Sequence, residues 1–336
     1  MSFTKIKNAS IAELLQTESA KRDIDWLKDS LNAAVELELA TLPPYLSAWL
    51  SIKDLNSPAA KLIRTVLIEE MLHMGLVANM LTAIGGKPKI STVLPTYPSH
   101  LPGGVRPELT VYLAGLSQTY LDEVCKQIEY PENGPIAFFL GETFPTIGAF
   151  YDAILEAFKE LQPNLTETNQ LATGFGPNHN LYKIKTLADV EKAINEIKVQ
   201  GEGTPLSPDS DEFGTELAHY YKFDEISHGR KLIKVDDVWK YAGDVVPFPD
   251  TYPMAKVPQG GWSNPSPEVQ QLLDTFNNIF KLVLDELESA WINGNEDILG
   301  SAINNMFELK TSAIQLMQIP LPDGSGNYGP DFLINV

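Results

Sequence analysis

The stretch Ile68-Glu69-Glu70-Met71-Leu72-His73-Met74 decides how this chain is read. Projected at about 100° per residue, residues 59–84 form a helix whose apolar stripe holds Ile63, Val66, Leu67, Met74, Val77 and Leu81. Glu70 falls inside that stripe, His73 on its edge and Glu69 well to one side. A carboxylate at i and an imidazole at i+3 leave a helix in the same direction, and facing helices that carry Glu-x-x-His pairs are how four-helix carboxylate proteins hold two metal ions. Burying the Glu70 carboxylate without a partner would cost several kcal/mol, so a metal, a cation or a proton must offset it. Taken alone, the pair also fits a locally paired glutamate beside a satisfied core histidine, and further helices of the same kind are needed to decide.

Glu38 supplies the next one. Residues 24–50 read as a helix capped by Asp23, with Leu31, Val35, Leu39, Leu42, Leu46 and Trp49 in one stripe, Glu38 in its middle and Glu36 pointing away. Pro43-Pro44 breaks the backbone ladder and is expected to kink or end that helix. The helix over 59–84 stops at Gly85-Gly86 with Pro88 beyond, and the Pro- and Gly-rich residues 87–108 form a long loop in which His100 is a surface histidine.

Residues 212–234 repeat the chemistry as a histidine-rich helix. Glu216-Leu217-Ala218-His219 is one Glu-x-x-His and Glu225-Ile226-Ser227-His228 is another, nine residues later. That spacing is half a turn out of phase, so both pairs cannot face one centre. Glu216 with His219 is preferred, and Glu225 with His228 is the alternative. Two Glu-x-x-His pairs and an isolated glutamate make up most of a dimetal ligand set, in which carboxylates neutralise and bridge divalent ions and imidazoles supply terminal nitrogens.

The remaining segments read as helices over 9–17, 109–129, 146–161, 187–199, 266 onward and 295–318, with polar, turn-rich chain between 162 and 211. On 146–161, Asp152 and Glu156 share a face with Ala149 and are that helix's available carboxylates. Acids outnumber bases 44 to 25, a net charge of -19, which argues against nucleic acid as a partner. The lone Cys125 forms no internal disulfide and no cysteine cluster is present. No apolar leader and no 18-residue uncharged run occurs. A cytoplasmic protein without a membrane partner is the expectation.

Three motifs resemble the ferritin-like domain of the iminophenylpyruvate dimer synthase family. They are Ala34-Val-Glu-Leu-Glu-Leu-Ala-Thr-Leu-Pro-Pro-Tyr-Leu46, Glu69-Glu-Met-Leu-His-Met74 running on to Gly86, and His219-Tyr-Tyr-Lys-Phe-Asp-Glu-Ile226. Ser99-His-Leu-Pro-Gly-Gly104 and the ending Pro320-Leu-Pro-Asp-Gly-Ser-Gly326 are similar too. The resemblance implies an all-α, ferritin-like four-helix bundle and, for the namesakes, oxidative coupling of imines derived from aromatic amino acids. Those namesakes carry the domain in much longer chains, so fold is expected to transfer better than reaction. The resemblance also implies a glutamate where this chain has Ala149; Asp152, Glu142 or, best placed, Glu156 would have to substitute.

The resulting expectation is one domain, with a core bundle over about 24–235 and a C-terminal helical pair over about 266–318 packed on it. Its internal site would use Glu38, Glu70, His73, Glu216 and His219, with Glu156, Glu225 and His228 in reserve, to hold one or two ions of iron or manganese. The expected activity is oxidation of a small amino-acid-derived substrate in secondary metabolism. The alternatives are a metal-binding protein without organic turnover and a scaffold with a degenerate site. A homo-oligomer fits either.

Overall fold

Asp23 starts the long second helix by accepting the Trp26 N–H at 2.9 Å, one of the orphan donors that every helix start leaves. A computed structural model describes residues 10–131, 146–176, 178–202, 208–209 and 216–334. After a short α1 (Ile11–Leu15), α2 (Ile24–Leu50) and α3 (Pro58–Ala83) form an antiparallel pair. Contrary to expectation, α2 neither ends at nor breaks near Pro43 and Pro44. The Ala40 carbonyl, which loses its helical donor because Pro44 has no N–H, accepts the Tyr97 hydroxyl at 2.6 Å instead.

α3 starts at the Ser57 cap with Pro58 in its first turn and ends where Gly85, at φ 73°, adopts the left-handed conformation. It is covered on nearly every side, so Glu69 is as deeply buried as Glu70 rather than off to one side. Among the described residues α3 is the one helix long and apolar enough to cross a membrane, and 89% of that window is buried by the protein itself.

α4 begins as Gln118–Tyr120, widens into a π turn over Leu121–Cys125 and resumes over Lys126–Ile128. The preceding residues, expected to be helical, are extended instead. Val111 pairs with Ser99 through backbone hydrogen bonds of 2.8 and 2.9 Å, and Gly115 donates to Met254 O. α5 (Ile147–Leu161), the hairpin β1 (Thr173–Gly176) and β2 (His179–Leu181), and α6 (Leu187–Glu202) follow. α7 spans only His219–His228: Gly229, at φ 68°, stops it, and the chain continues as the antiparallel hairpin β3 (Arg230–Val235) and β4 (Val238–Val245).

α8 (Pro267–Asn293) and α9 (Glu296–Met317) pair with each other and lie on the α2–α3 pair. Trp291 of α8 donates its indole N–H to Asn79 of α3 at 2.9 Å. A contiguous apolar core links α1 through α9. The fold is mostly helical, and α2, α3, α4 and α7 surround one buried polar centre.

Candidate metal centre

Five side chains meet inside the bundle, four from α2, α3 and α7 and the fifth, Glu129, from the residue that ends α4. Glu38, Glu70 and His73 form one group with ligand-type atoms within 4.8 Å of one another, and Glu70, Glu129 and His219 form a second. Glu70 belongs to both, and all five residues are buried. Three hydroxyls fix the carboxylates: Tyr151 donates to Glu38 Oε1, Thr41 to Glu70 Oε2 at 2.7 Å, and Tyr45 to Glu129 Oε1. The opposite oxygens turn toward the imidazoles. Glu38 Oε2 lies 3.7 Å from His73 Nδ1, and Glu70 Oε1 lies 4.0 Å from His73 Nδ1 and 2.8 Å from His219 Nδ1. Glu129 Oε2 is 3.3 Å from His219 Nδ1.

Each imidazole is held from behind. His73 Nε2 faces Gln200 Oε1 at 2.8 Å and His219 Nε2 faces Glu69 Oε2 at 3.0 Å. If each Nε2 carries the proton, both Nδ1 lone pairs point into the centre, the orientation that outer carboxylates and amides give to metal-binding histidines. The rings stack with centroids 5.5 Å apart. Although two carboxylate oxygens are close to His219 Nδ1, neither is aligned for a hydrogen bond, so this buried nitrogen has no hydrogen-bond partner. A buried, unbonded nitrogen facing two carboxylates fits a cation ligand better than a packed core histidine.

The electrostatics point the same way. Burial, then the neighbouring Glu129, push Glu70 up to about 7, against the pull of His219. Burial disfavours charge on His219, but Glu129, Glu69 and Glu70 together outweigh it, and the net shift is well upward. His73 also moves up, because Glu38 overcomes burial. A divalent cation would replace the protons that this crowd of acids otherwise retains.

Glu69, which holds His219 from behind, also takes part in a further buried network. Lys222 Nζ is 2.7 Å from Glu69 Oε1, and His179 Nε2 is 3.3 Å from the same oxygen. Burial would raise the Glu69 carboxyl, yet Lys222, then His179 and His219, hold it well below the usual range.

Of the residues expected from sequence, Glu38, Glu70, His73 and His219 come together, and the others lie elsewhere. Glu216 precedes the first residue of α7, on a segment where Leu217 bridges Asp209, so helical i, i+3 spacing does not apply to it. Its side chain is 44% exposed and lies 3.5 Å from Lys222. Glu225 is buried but faces the hairpin, accepting the Leu232 N–H at 2.8 Å and pairing with Lys231 at 2.7 Å. His228 is half-exposed and stacks on Tyr241. Glu156 pairs with Arg22 at 2.7 Å on the surface, and Asp152 pairs with Lys198. Ala149 is exposed, and Glu142 lies outside the described residues.

The carboxylate that sequence reasoning missed is Glu129, just past α4. No local spacing in the sequence singled it out, because the π turn over Leu121–Cys125 shifts the phase of the helix ahead of it.

A ferritin-like family model matches residues 31–228, the span that contains all five clustered residues. The chain therefore belongs to the ferritin-like family. A ferritin-like protein from Caulobacter vibrioides, known from its crystal structure, has the same fold, with a TM-score of 0.63, 21% identity, and coverage of 90% of this chain and 96% of that one. No curated protein matches.

Proposed function

We propose that the protein holds two divalent metal ions, iron or manganese, one on each side of Glu70, and uses them to oxidise a small amino-acid-derived substrate. The observation that carries this reading is the sharing of Glu70 by the Glu38–His73 and Glu129–His219 groups. Three carboxylates would offset most of the charge of two divalent ions, and two imidazole nitrogens would complete a mixed oxygen and nitrogen set suited to iron or manganese. When bound, such a metal pair supplies one- and two-electron redox chemistry, with dioxygen or peroxide as the electron acceptor.

The protein's own groups provide position and exclusion of water. Tyr45, Thr41 and Tyr151 each hold one oxygen of a cluster carboxylate, so the other oxygen keeps its direction. Gln200 and Glu69 hold the two rings by Nε2. Burial of the whole set keeps bulk water away and strengthens each interaction. The sequence resemblance to iminophenylpyruvate dimer synthases supports imines of aromatic amino acids as the substrate class.

The test is oxygen consumption by metal-loaded protein with phenyl and indole imino acids, using Glu70→Ala as the control. Substrate-dependent uptake that disappears in the variant supports the oxidase. Metal bound in normal amount with no turnover would favour metal handling, and metal absent from the wild type would favour a scaffold.

A further inference from the structure

A cavity of about 220 Å³ lies between the α2–α3 pair and the α8–α9 pair. Its wall is almost wholly apolar, with Leu46, Met71 and Met74 on one side and Phe280, Leu284 and Met306 on the other. None of the five cluster residues lines it. It is long rather than round, since its wall follows α9 from Leu299 to Lys310, about 16 Å of helix. An apolar cavity of about 150 Å³ accommodates benzene, so this one takes a larger and more extended body.

Its polar features are few. The hydrogen bond from Trp291 to Asn79 fixes the C-terminal end of α8 beside the C-terminal half of α3. The antiparallel turns then carry Arg64, in the first half of α3, and Lys310, in the second half of α9, toward the opposite end. Both side chains are exposed, and among the described residues neither has an ion-pair partner, although the chain has a net charge of -19. Phe307, also in the lining, is 65% exposed and marks the opening. Trp49, near the C-terminal end of α2, closes the same end of the wall with its indole ring.

We propose that this slot binds linear monocarboxylates with an alkyl chain of about eight to ten carbons, medium-chain fatty acids, at a site separate from the metal cluster. The tail lies along the helices and the carboxylate is drawn to Arg64 and Lys310. Elongated shape argues for a chain over a compact ring, and the unpaired cations argue for an acid over an alcohol. The inference does not depend on the oxidase reading, because it concerns different residues and needs no metal.

Titration of decanoate, decanol and acetate into the full-length protein, followed by calorimetry and tryptophan fluorescence, tests it. Saturable decanoate binding, weaker decanol binding and no acetate binding are expected. Arg64→Ala and Lys310→Ala should each weaken decanoate about threefold to fivefold and leave decanol unchanged, as expected for solvent-exposed charge pairs. Met71→Trp should fill the slot and abolish both, with circular dichroism and metal content unaltered. No saturable decanoate binding, or binding indifferent to Met71→Trp, would overturn the site. Decanoate and decanol bound equally, with no response to Arg64→Ala or Lys310→Ala, would overturn the assignment to carboxylates.

Discussion

Lys222 and Glu69 form a buried ion pair, Nζ to Oε1 at 2.7 Å, one helical turn along α7 from the contact between His219 and Glu70. Neighbouring carboxylates of α3 thus receive different partners from α7: a fixed ammonium for Glu69 and an imidazole nitrogen for Glu70. The ammonium keeps Glu69 ionised, and ionised Glu69 can accept from His219 Nε2 and make that ring a stronger donor toward a cation. Lys222→Met should cost about 3–5 kcal/mol by leaving the buried carboxylate without its ammonium partner. Lys222→Met combined with Glu69→Gln should regain much of that stability while metal affinity stays low. Urea denaturation and metal titration of the single and double variants check both.

The tyrosine contacts make a separate prediction. Tyr45→Phe and Tyr151→Phe each release one carboxylate oxygen, on Glu129 and Glu38 respectively. Each should reduce metal affinity by about 10–100-fold, the usual effect of losing such a support. Competition with a chromogenic chelator measures it, and affinities equal to wild type would remove the hydroxyls from the account.

Stability of the metal-free protein should fall as pH rises from about 5 to about 8. Burial and Glu129 raise Glu70 from 4.5 to about 7, so across that interval the native state holds a proton that the unfolded chain has released. Glu129 and Glu38 likewise raise His219 and His73 above 6.5 despite burial. That contribution is complete below 6.5 and is lost as pH climbs through the raised values. Glu69, held low, has the opposite sign, but its stabilisation is lost only on acidification below 4.5. Urea midpoints in chelator across this range should show the decline, and added Mn²⁺ should remove it because the cation displaces the protons.

Tyr97→Phe tests how α2 survives its two prolines. Without the hydroxyl, the buried Ala40 carbonyl has neither a helical nor a side-chain donor, at a cost of about 1–3 kcal/mol. A variant as stable as wild type by urea denaturation would show that the prolines need no such support.

The helix bounds and the placement of Glu38, Glu70 and His73 were legible because α2 and α3 are long, capped and periodic. Glu216 was misplaced because a pair separated by three residues suggests a helix even where the chain has not yet entered one. Glu129 was missed because the π turn shifts the phase of α4, and a stripe drawn at 3.6 residues per turn passes it by. Lys222 was overlooked because a lysine on a polar-looking helix is ordinarily exposed, whereas here α3 brings Glu69 to it across 153 residues of sequence. The support from Tyr97 to α2 is also a long-range contact that no local pattern encodes.

The most direct test of the central claim is metal stoichiometry, measured by elemental analysis on protein purified without chelator and reloaded with Fe²⁺ or Mn²⁺. Because Glu70 is common to both groups, the wild type should bind about two ions per chain and Glu70→Ala none. Glu38→Ala and Glu129→Ala should each retain about one, and Glu156→Ala and His228→Ala should retain both. Equal metal content in wild type and Glu70→Ala, or no metal in either, would contradict a shared dimetal centre.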